Sequence, residues 1–143
     1  MAPEYNDSYI SDILTRTKVI ALVGYSAKPE RPSHRVAHFL ASKGYRVIPV
    51  NPGLAGQEAL GETVVASLSE IPADVKVDMV DIFRRSEDVG PVVDEALAAL
   101  PDLKTIWMQL GIENAEAAAK AEAKGVDVVM NRCPAIEIPR LAA

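Results

Sequence analysis

A short segment of this sequence combines glycine, hydroxyl and cationic side chains at a spacing that suits phosphate binding. The segment runs from Gly24 to His34 and follows a continuously apolar run that is typical of a buried strand. Ser33 is predicted to cap the next helix, and the free N–H groups of a helix N-terminus attract anions. Arg31 can contact two phosphate oxygens, and Lys28 adds a second charge. The segment is therefore predicted to bind phosphate; the alternative is that Ser33 only caps the helix and solvent surrounds the cations.

The same segment lacks the motifs of the common nucleotide-binding proteins. The dinucleotide fingerprint G-x-G-x-x-G is absent because Ser26 stands where the second glycine belongs. The second predicted strand ends in Asn51 and Pro52, without the acidic residue that binds the ribose of NAD. A G-K-[ST] sequence is also missing, so there is no Walker A motif. These observations disfavour ordinary NAD binding and P-loop ATP binding.

Three further loops place ligand-contacting residue types after predicted strands. The third strand ends in apolar residues and an arginine, which suit an adenine and a phosphate; a solvated basic turn is the alternative. The fourth ends in a glutamine and a glycine turn, where the main chain can approach a ligand, and an asparagine follows the fifth. The candidates in these loops are Ile82, Phe83, Arg84, Gln109, Gly111 and Asn131.

Groups that could catalyse a reaction are few. Cys133 follows the fifth strand, but a lone cysteine in that position is more often a small packed residue. His34 and His38 are four residues apart and share a helix face, yet no third metal ligand accompanies them. His34 is instead expected to donate to a phosphate, and no Ser-His-acid triad can be assembled from spacing alone. The sequence therefore favours a binding module over an enzyme.

Apolar runs that alternate with helical patterns must position these loops. The predicted strands cover 18–24, 45–50, 77–83, 105–110 and 126–130, and the predicted helices cover 8–16, 34–43, 87–100 and 113–124. Short strand-helix-strand connections imply right-handed crossovers and a parallel sheet. The predicted fold class is α/β, a single Rossmann-like domain with a doubly wound, parallel, five-stranded sheet and helices on both faces. Residues 1–17 form an N-terminal helical extension, and residues 18–143 form the domain.

Composition narrows the function classes. The chain has 143 residues, which suits one domain, and its net charge of -5 disfavours non-specific binding to nucleic acid or to an anionic membrane. The single cysteine, Cys133, excludes an internal disulfide. The sequence has no apolar run long enough to span a membrane, and the polar, acidic N-terminus is unlike a secretory signal. We therefore expect a cytoplasmic protein, with a homodimer as the default assembly.

Taken together, five segments resemble a known family. They are V-G-Y-S-A-K-P-E-R-P-S-H-R-V, G-Y-R-V-I-P-V-N-P, I-F-R-R, W-M-Q-L-G-I and N-R-C-P. The chain resembles, over residues 18–141, the small single-domain CoA-binding proteins related to the nucleotide-binding domain of the succinyl-CoA synthetase alpha subunit. The first two segments are the most specific. The resemblance implies a Rossmann-like fold and a CoA or acyl-CoA ligand whose diphosphate lies on the loop 24–34.

The resemblance also assigns roles to individual residues. Those that would cradle the phosphates are Gly24, Tyr25, Ser26, Arg31 and Ser33. Those that would flank the nucleotide and its adenosine portion are Asn51, Pro52, Ile82, Phe83 and Arg84. The pantetheine arm would pass Gln109, Gly111 and Asn131. The synthetase uses a phosphorylated histidine from a further domain, and neither histidine of this chain stands in that motif, so ligase activity is not implied.

Three functions remain open on the sequence. The first is a module that binds CoA or an acyl-CoA without chemistry. The second is an enzyme, an acyl-CoA-dependent transferase or another nucleotide-using enzyme, with Cys133 near the thiol end of the ligand. The third is an interaction subunit that reports CoA to a partner protein.

Overall fold

The apolar runs of the sequence form a five-stranded parallel sheet. The structure is a computed structural model that describes residues 4–142; residues 1–3, at the start of the predicted extension, and residue 143 lie outside the described residues. The strands are β1 (Val19–Val23), β2 (Arg46–Val50), β3 (Glu58–Ala59), β4 (Glu62–Thr63), β5 (Met79–Ile82), β6 (Thr105–Met108) and β7 (Asp127–Val129). The helices are α1 (Asp7–Arg16), α2 (Pro32–Ser42), α3 (Val89–Ala99), α4 (Ala115–Ala123) and α5 (Pro134–Leu141).

The order of the strands creates a switch point in the middle of the sheet. The order is β2-β1-β5-β6-β7, every pair is parallel, and β3 and β4 form a separate antiparallel hairpin. The helix α2, which follows β1, packs on one face, and α3, which follows β5, packs on the other. Neighbouring strands β1 and β5 therefore lead to opposite faces, which is where doubly wound sheets bind ligands. This topology confirms the predicted fold class.

Each face of the sheet has its own core. The face covered by α3 and α4, here the α3–α4 face, buries almost only aliphatic side chains such as Val80, Ile82 and Ile106. The opposite face, here the α1–α2–α5 face, buries aromatic residues as well, among them Tyr25 and Trp107. The first helix, α1, belongs to this second core. Within residues 4–142, none of the helices has the length and apolar character needed to cross a membrane.

The two edges of the sheet are finished differently. Pro49 lies in β2, an edge strand, where a residue without an N–H is tolerated. Along the other edge, the Tyr9 hydroxyl donates to Val128 O at 3.0 Å and accepts from Val128 N at 3.2 Å. The Tyr5 hydroxyl accepts from Met130 N at 2.9 Å. Two side chains thus satisfy main-chain groups of β7 and of Met130, which follows it, that a further strand would otherwise pair.

Several local predictions were wrong. Helix α2 begins at Pro32, with Arg31 as its N-cap, so Ser33 is not the cap but a buried residue of the first turn. Proline suits the first helical position because its fixed φ fits and its missing N–H needs no partner there. The helix α5, which has Pro139 inside it, was not among the predicted helices. The glycine-rich stretch after β2 forms the hairpin β3–β4, which the sequence analysis missed.

Candidate functional site

The switch point depends on one glycine. Gly24 has a φ of +91°, and a Cβ placed on it would lie 2.5 Å from the carbonyl oxygen of Phe83. Both Gly24 N and Tyr25 N donate to Val50 O, at 3.0 and 3.2 Å, so the chain turns sharply over the end of β2. Only glycine tolerates this φ without strain and leaves room for the main chain that follows β5.

The loop after Gly24 is held by its own side chains. Ser26 Oγ accepts from Lys28 N at 3.1 Å, and Ser26 O lies 3.0 Å from His34 Nδ1. Asn51 Nδ2 donates to Tyr25 O at 2.6 Å, while Asn51 Oδ1 accepts from Gly53 N at 2.8 Å. Both polar atoms of the Asn51 amide therefore hold the loop in place. A ligand can contact only the remaining surface of this residue.

The cations of this loop face solvent. Lys28 and Arg31 are exposed, and neither forms an ion pair with another residue of the range 4–142. Arg35, one turn into α2, is also exposed, and its Nη1 donates to Glu30 O at 2.8 Å. A protein with a net charge of -5 thus presents Lys28, Arg31 and Arg35 as exposed cations near the start of α2, with the acidic Glu30 in the same loop.

A cavity of about 810 Å³, here the large cavity, opens on the α1–α2–α5 face beside this edge. Its apolar wall consists of Pro32, Val36, Phe39, Phe83, Leu110, Ile112 and Ala135. Its other lining residues are Arg35, Arg84, Arg85, Gln109 and Cys133. Cys133 is 7% exposed, and its thiol makes no hydrogen bond within residues 4–142. The large cavity therefore offers an apolar enclosure with cations on one side.

A second cavity of about 330 Å³, here the switch-point cavity, lies against α3 on the other side of the same edge. Its lining includes Gly24, Asn51, Pro52 and Ser67. Arg84 lines both the switch-point cavity and the large cavity. The side chain of Arg84 is exposed and has no ion pair among the described residues. This free guanidinium is the place where the two cavities meet.

A third cavity of about 250 Å³, here the histidine cavity, is lined by the two histidines of α2. The rings of His34 and His38 stack with centroids 4.1 Å apart, and Tyr25 Oη lies 3.4 Å from His38 Nε2. Burial, and then the neighbouring His34, lower the pKa of His38, while burial raises the pKa of Tyr25. No group of three or more His, Cys, Asp or Glu within residues 4–142 is placed to hold a metal.

Helix α2 separates the histidine cavity from the large cavity. Pro32, Arg35, Val36 and Phe39 line the large cavity, at the spacing of one helical stripe. His34 and His38, also one turn apart, line the histidine cavity. His34, which is predicted to contact a phosphate, therefore lines a different cavity from Phe83 and Gln109.

A buried polar pair lies beside the large cavity. Asp81 is fully buried in β5, and Gln109, which is 5% exposed, lines the cavity at the end of β6. With its amide turned so that both groups are satisfied, Gln109 Nε2 lies 2.9 and 3.1 Å from the two Asp81 oxygens. Burial raises the pKa of the Asp81 carboxyl well above its ordinary value. The cavity thus borders a carboxyl group that the sequence analysis did not select.

The structure distributes the fifteen sequence-predicted site residues unevenly. The cavities described above are lined by Gly24, Tyr25, His34, Asn51, Pro52, Phe83, Arg84 and Gln109. The residues that line none of them are Ser26, Lys28, Arg31, Ser33, Ile82, Gly111 and Asn131. Ser33 and Ile82 are buried, so their side chains offer a ligand little or no surface. Asn131 Oδ1 accepts from Gly111 N at 2.7 Å, so this predicted pair holds two loops together.

The residues that the sequence analysis missed had usable signals. Arg35 and Phe39 follow Arg31 at intervals of four, which places them along one side of a helix. Asp81 lies in the predicted strand 77–83, in which the acidic residues Asp78 and Asp81 interrupt the apolar residues. These acidic residues do not mark an exposed face of the strand, because all four residues of β5 are buried. A central strand of a doubly wound sheet is covered on both faces, and this was the signal that Asp81 would be buried.

Comparisons with known proteins agree with the fold. A family model described as a CoA binding domain matches residues 18–139. YneT, an uncharacterized protein of Bacillus subtilis (strain 168), is 44% identical over 124 residues, or 87% of each chain. A Thermus thermophilus structure, cell-free ID.343, superposes with a TM-score of 0.88 at 36% identity and covers 96% of this chain and 99% of its own.

A larger enzyme contains a similar unit. The dinucleotide-forming acetyl-coenzyme A synthetase 1 of Ca. Korarchaeum cryptofilum, solved with phosphate and ADP, is 25% identical with a TM-score of 0.64. The match covers 78% of this chain but only 25% of the synthetase. The family match spans most of the sequence, and the CoA-binding resemblance seen in its motifs is confirmed. The chain belongs to the CoA binding domain family.

Proposed function

We propose that this protein binds CoA or an acyl-CoA across the carboxyl edge of the sheet, as a module without chemistry of its own. The observation that carries the proposal is Arg84, a free cation that lines both the large cavity and the switch-point cavity. A ligand that fills both cavities passes over this guanidinium. CoA has the matching layout, because its anionic diphosphate stands between a nucleotide and a long pantetheine arm.

The charges along the edge support an anionic ligand. Lys28, Arg31 and Arg84 are exposed without ion pairs in the described range, and Arg35 stands one turn into α2. A charged phosphate accepts hydrogen bonds from guanidinium groups more strongly than a neutral group does. The loop 24–34 therefore acts as the phosphate-binding loop, with Gly24 allowing the ligand close to the main chain.

The two cavities suit the two ends of the ligand. The apolar wall of the large cavity fits the pantetheine arm and whatever the sulfur carries, and Gln109 gives this arm a polar contact. The switch-point cavity, with Asn51 and Pro52 in its wall, fits the nucleotide. In this arrangement Phe83 lies on the pantetheine side rather than against the adenosine. Gly111 and Asn131 support the loop beside Gln109.

Among the residues that the structure describes, the lack of an activated nucleophile favours binding over catalysis. Cys133 lines the large cavity, but within residues 4–142 no hydrogen bond reaches its thiol and both histidines line the histidine cavity. A cysteine nucleophile needs an adjacent base or a cationic partner to form the thiolate. An acyl-CoA-dependent transferase remains the second candidate, because Cys133 does face the space proposed for the thiol end. Acyl-CoA turnover that a Cys133→Ala variant abolishes would establish the transferase instead.

The cellular compartment and the assembly of the protein are also part of the proposal. We place the protein in the cytoplasm, because its single cysteine cannot form an internal disulfide and cytoplasmic proteins rarely contain disulfides. Association as a homodimer or with a partner protein stays a prediction from the sequence.

Calorimetry with four ligands tests the proposal directly. We expect heat of binding with CoA or acetyl-CoA and none with NAD or ATP. In thermal unfolding, a ligand at 100 times its dissociation constant adds about 2.7 kcal/mol of stability. Binding of NAD or ATP in place of CoA would overturn the assignment.

Arg84→Ala tests the residue at which the cavities meet. The variant should bind CoA about tenfold more weakly or worse, because it loses a charge-assisted hydrogen bond worth roughly 1.5–3 kcal/mol. Lys104→Ala is the matched control, since it removes the same charge from an exposed position just before β6, at the opposite edge of the sheet. Equal losses in the two variants, or no loss in Arg84→Ala, would remove Arg84 from the site.

A further inference from the structure

Two successive main-chain N–H groups of the phosphate-binding loop, those of Ser26 and Ala27, find no acceptor among the described residues. The N–H groups on either side of them are occupied. Tyr25 N donates to Val50 O at 3.2 Å, and Lys28 N donates to Ser26 Oγ at 3.1 Å. Ser26 is half-buried and Ala27 is exposed, so neither residue is sealed inside the protein. Successive free N–H groups of the main chain can bind one anion together.

The carbonyl groups that precede these two N–H groups are each held by a side chain. Tyr25 O accepts from Asn51 Nδ2 at 2.6 Å, and Ser26 O lies 3.0 Å from His34 Nδ1. In a planar trans peptide the carbonyl of one residue and the N–H of the next point in opposite directions, and the described residues contain no cis peptide bond. The Ser26 N–H group therefore points away from Asn51, and the Ala27 N–H group points away from His34.

The contact with Ser26 O fixes the protonation of one nitrogen of His34. A carbonyl oxygen only accepts hydrogen bonds, so Nδ1 must carry a proton. That proton is present in the imidazolium and in one of the two neutral tautomers, so the contact does not depend on the charge of the ring. The His34 ring also stacks on Tyr25 and on His38, with centroids 5.9 and 4.1 Å away. Stacking and the hydrogen bond together hold the ring in place, and Nδ1 is already engaged.

We propose that His34 and Asn51 are positioning residues for the phosphates of the CoA ligand, because they hold two carbonyl groups so that the N–H groups of Ser26 and Ala27 donate to the ligand. The inference rests on the proposed function, since it needs a CoA-type ligand on this loop. Donors that are fixed before binding give tighter binding, because the ligand does not have to order them. In this arrangement His34 acts through the main chain and does not contact the phosphate itself.

The amide resonances of the two residues test the donors directly. In NMR spectra of the isotope-labelled protein, CoA should move the amide protons of Ser26 and Ala27 downfield, because a hydrogen bond to a phosphate oxygen deshields the proton. Gly44 is the control, since its N–H already donates to Ala41 O at 3.1 Å and lies at the opposite edge of the sheet. Its resonance should not move. CoA binding that leaves Ser26 and Ala27 unshifted would overturn the inference.

Three variants separate positioning from simple packing. His34→Leu has a side chain of similar size but no donor for Ser26 O, so it should bind CoA about fivefold to tenfold more weakly. His34→Asn can place an amide N–H₂ group near the position of imidazole Nδ1 and should restore the affinity. His38→Leu is the matched control, because the His38 ring holds no carbonyl of the loop and leucine keeps a surface against His34. Equal losses in the two leucine variants, or no rescue by asparagine, would contradict the role of His34.

The same spectra assign each N–H group to its own positioning residue. In His34→Leu the shift of Ala27 on CoA addition should disappear, while that of Ser26 should remain. Asn51→Ala should have the reverse effect, because it releases Tyr25 O and leaves Ser26 O in place. A residue that merely stabilised the loop as a whole would change both shifts together, and that result would overturn the assignment.

The pH dependence of CoA affinity distinguishes positioning from a direct contact. An imidazolium of His34 that bound a phosphate would strengthen CoA binding as the pH falls from about 8 to about 6, and asparagine cannot take up that proton. Positioning needs only the proton on Nδ1, so wild type and His34→Asn should have equal affinities at both pH values. The other titratable groups of the histidine cavity, His38, Tyr25 and Glu58, are present in both proteins, and the phosphates of CoA are common to both measurements. An advantage of the wild type that appears only at the lower pH would overturn the positioning role.

The outcomes keep the two levels of the proposal apart. If the wild-type protein binds no CoA in calorimetry, the proposed function fails, and this inference fails with it. If it binds CoA and Arg84→Ala weakens the binding as expected, but the amides of Ser26 and Ala27 do not shift, the proposed function stands. The positioning role of His34 and Asn51 is then wrong.

Discussion

The two faces of the sheet share the same five strands but differ in what they bury. The α3–α4 face holds aliphatic side chains, and the consecutive residues Val80 and Ile82 of β5 both belong to it. Between them, Asp81 points to the α1–α2–α5 face, which also contains the Gln109 contact, Trp107 and Cys133. The difference teaches that one face of this domain is an almost purely apolar core, whereas the other combines its core with a buried polar group that costs stability.

A substitution on the aliphatic face gives the largest expected loss of stability. Ile106→Ala removes a fully buried side chain of that core. The free energy of unfolding should fall by about 2–5 kcal/mol, because the variant loses apolar burial and leaves a cavity. Urea unfolding measures the loss, and CoA affinity should stay unchanged in the folded variant. A loss below about 1 kcal/mol would contradict the view that Ile106 belongs to a closely packed core on this face.

A substitution at the edge between the faces should cost slightly less. Gly24→Ala forces a side chain into a φ of +91° and against the Phe83 carbonyl at 2.5 Å. We expect a loss of about 3 kcal/mol from strain and overpacking together. Gly44→Ala is the matched control, because Gly44 has a φ of +97° but nothing within 4 Å of its Cβ position. If urea unfolding gives equal losses of stability for the two variants, the close contact with the Phe83 carbonyl is not the reason that glycine is needed at position 24.

A substitution on the α1–α2–α5 face should raise the free energy of unfolding rather than lower it. Burial raises the pKa of Asp81, so above about pH 4 the native state keeps a proton that the unfolded chain releases. The free energy of unfolding should therefore fall as the pH rises from about 4 toward the native pKa of Asp81. Asp81→Asn removes this dependence and should be more stable than the wild type at pH 8. Urea unfolding at several pH values gives the slope of the free energy of unfolding against pH for the wild type and for Asp81→Asn. Equal slopes would mean that Asp81 is not the group responsible for the pH dependence.

Much of the fold could be predicted from the sequence because its strands are continuous apolar runs. Such runs arise when a parallel sheet is covered on both faces, and the residues of β1 show the pattern clearly. The helix start was mispredicted because a serine is a good cap in general, while Pro32 decides where α2 begins. The hairpin β3–β4 was missed because strands of two residues carry no periodicity.

The candidate site was predictable only in part, since it depends on how α2 is rotated. The sequence indicates that the loop 24–34 lies at the edge, but not that Arg35 and His34 line different cavities. Asp81 was overlooked because an acidic residue in a strand is normally taken as exposed. Its contact with Gln109 joins two strands and follows only from their register.

The tyrosine hydroxyls along β7 have a consequence for how this protein behaves at high concentration. An open strand edge is a template on which another chain can extend the sheet and start aggregation. Tyr9 occupies both the N–H and the carbonyl of Val128, and burial raises its pKa to about 12, so the hydroxyl keeps its proton in physiological buffers. Pro49 removes an N–H group from the opposite edge of the sheet. Neither edge should therefore pair readily with another chain, and concentrated solutions of the protein should not aggregate.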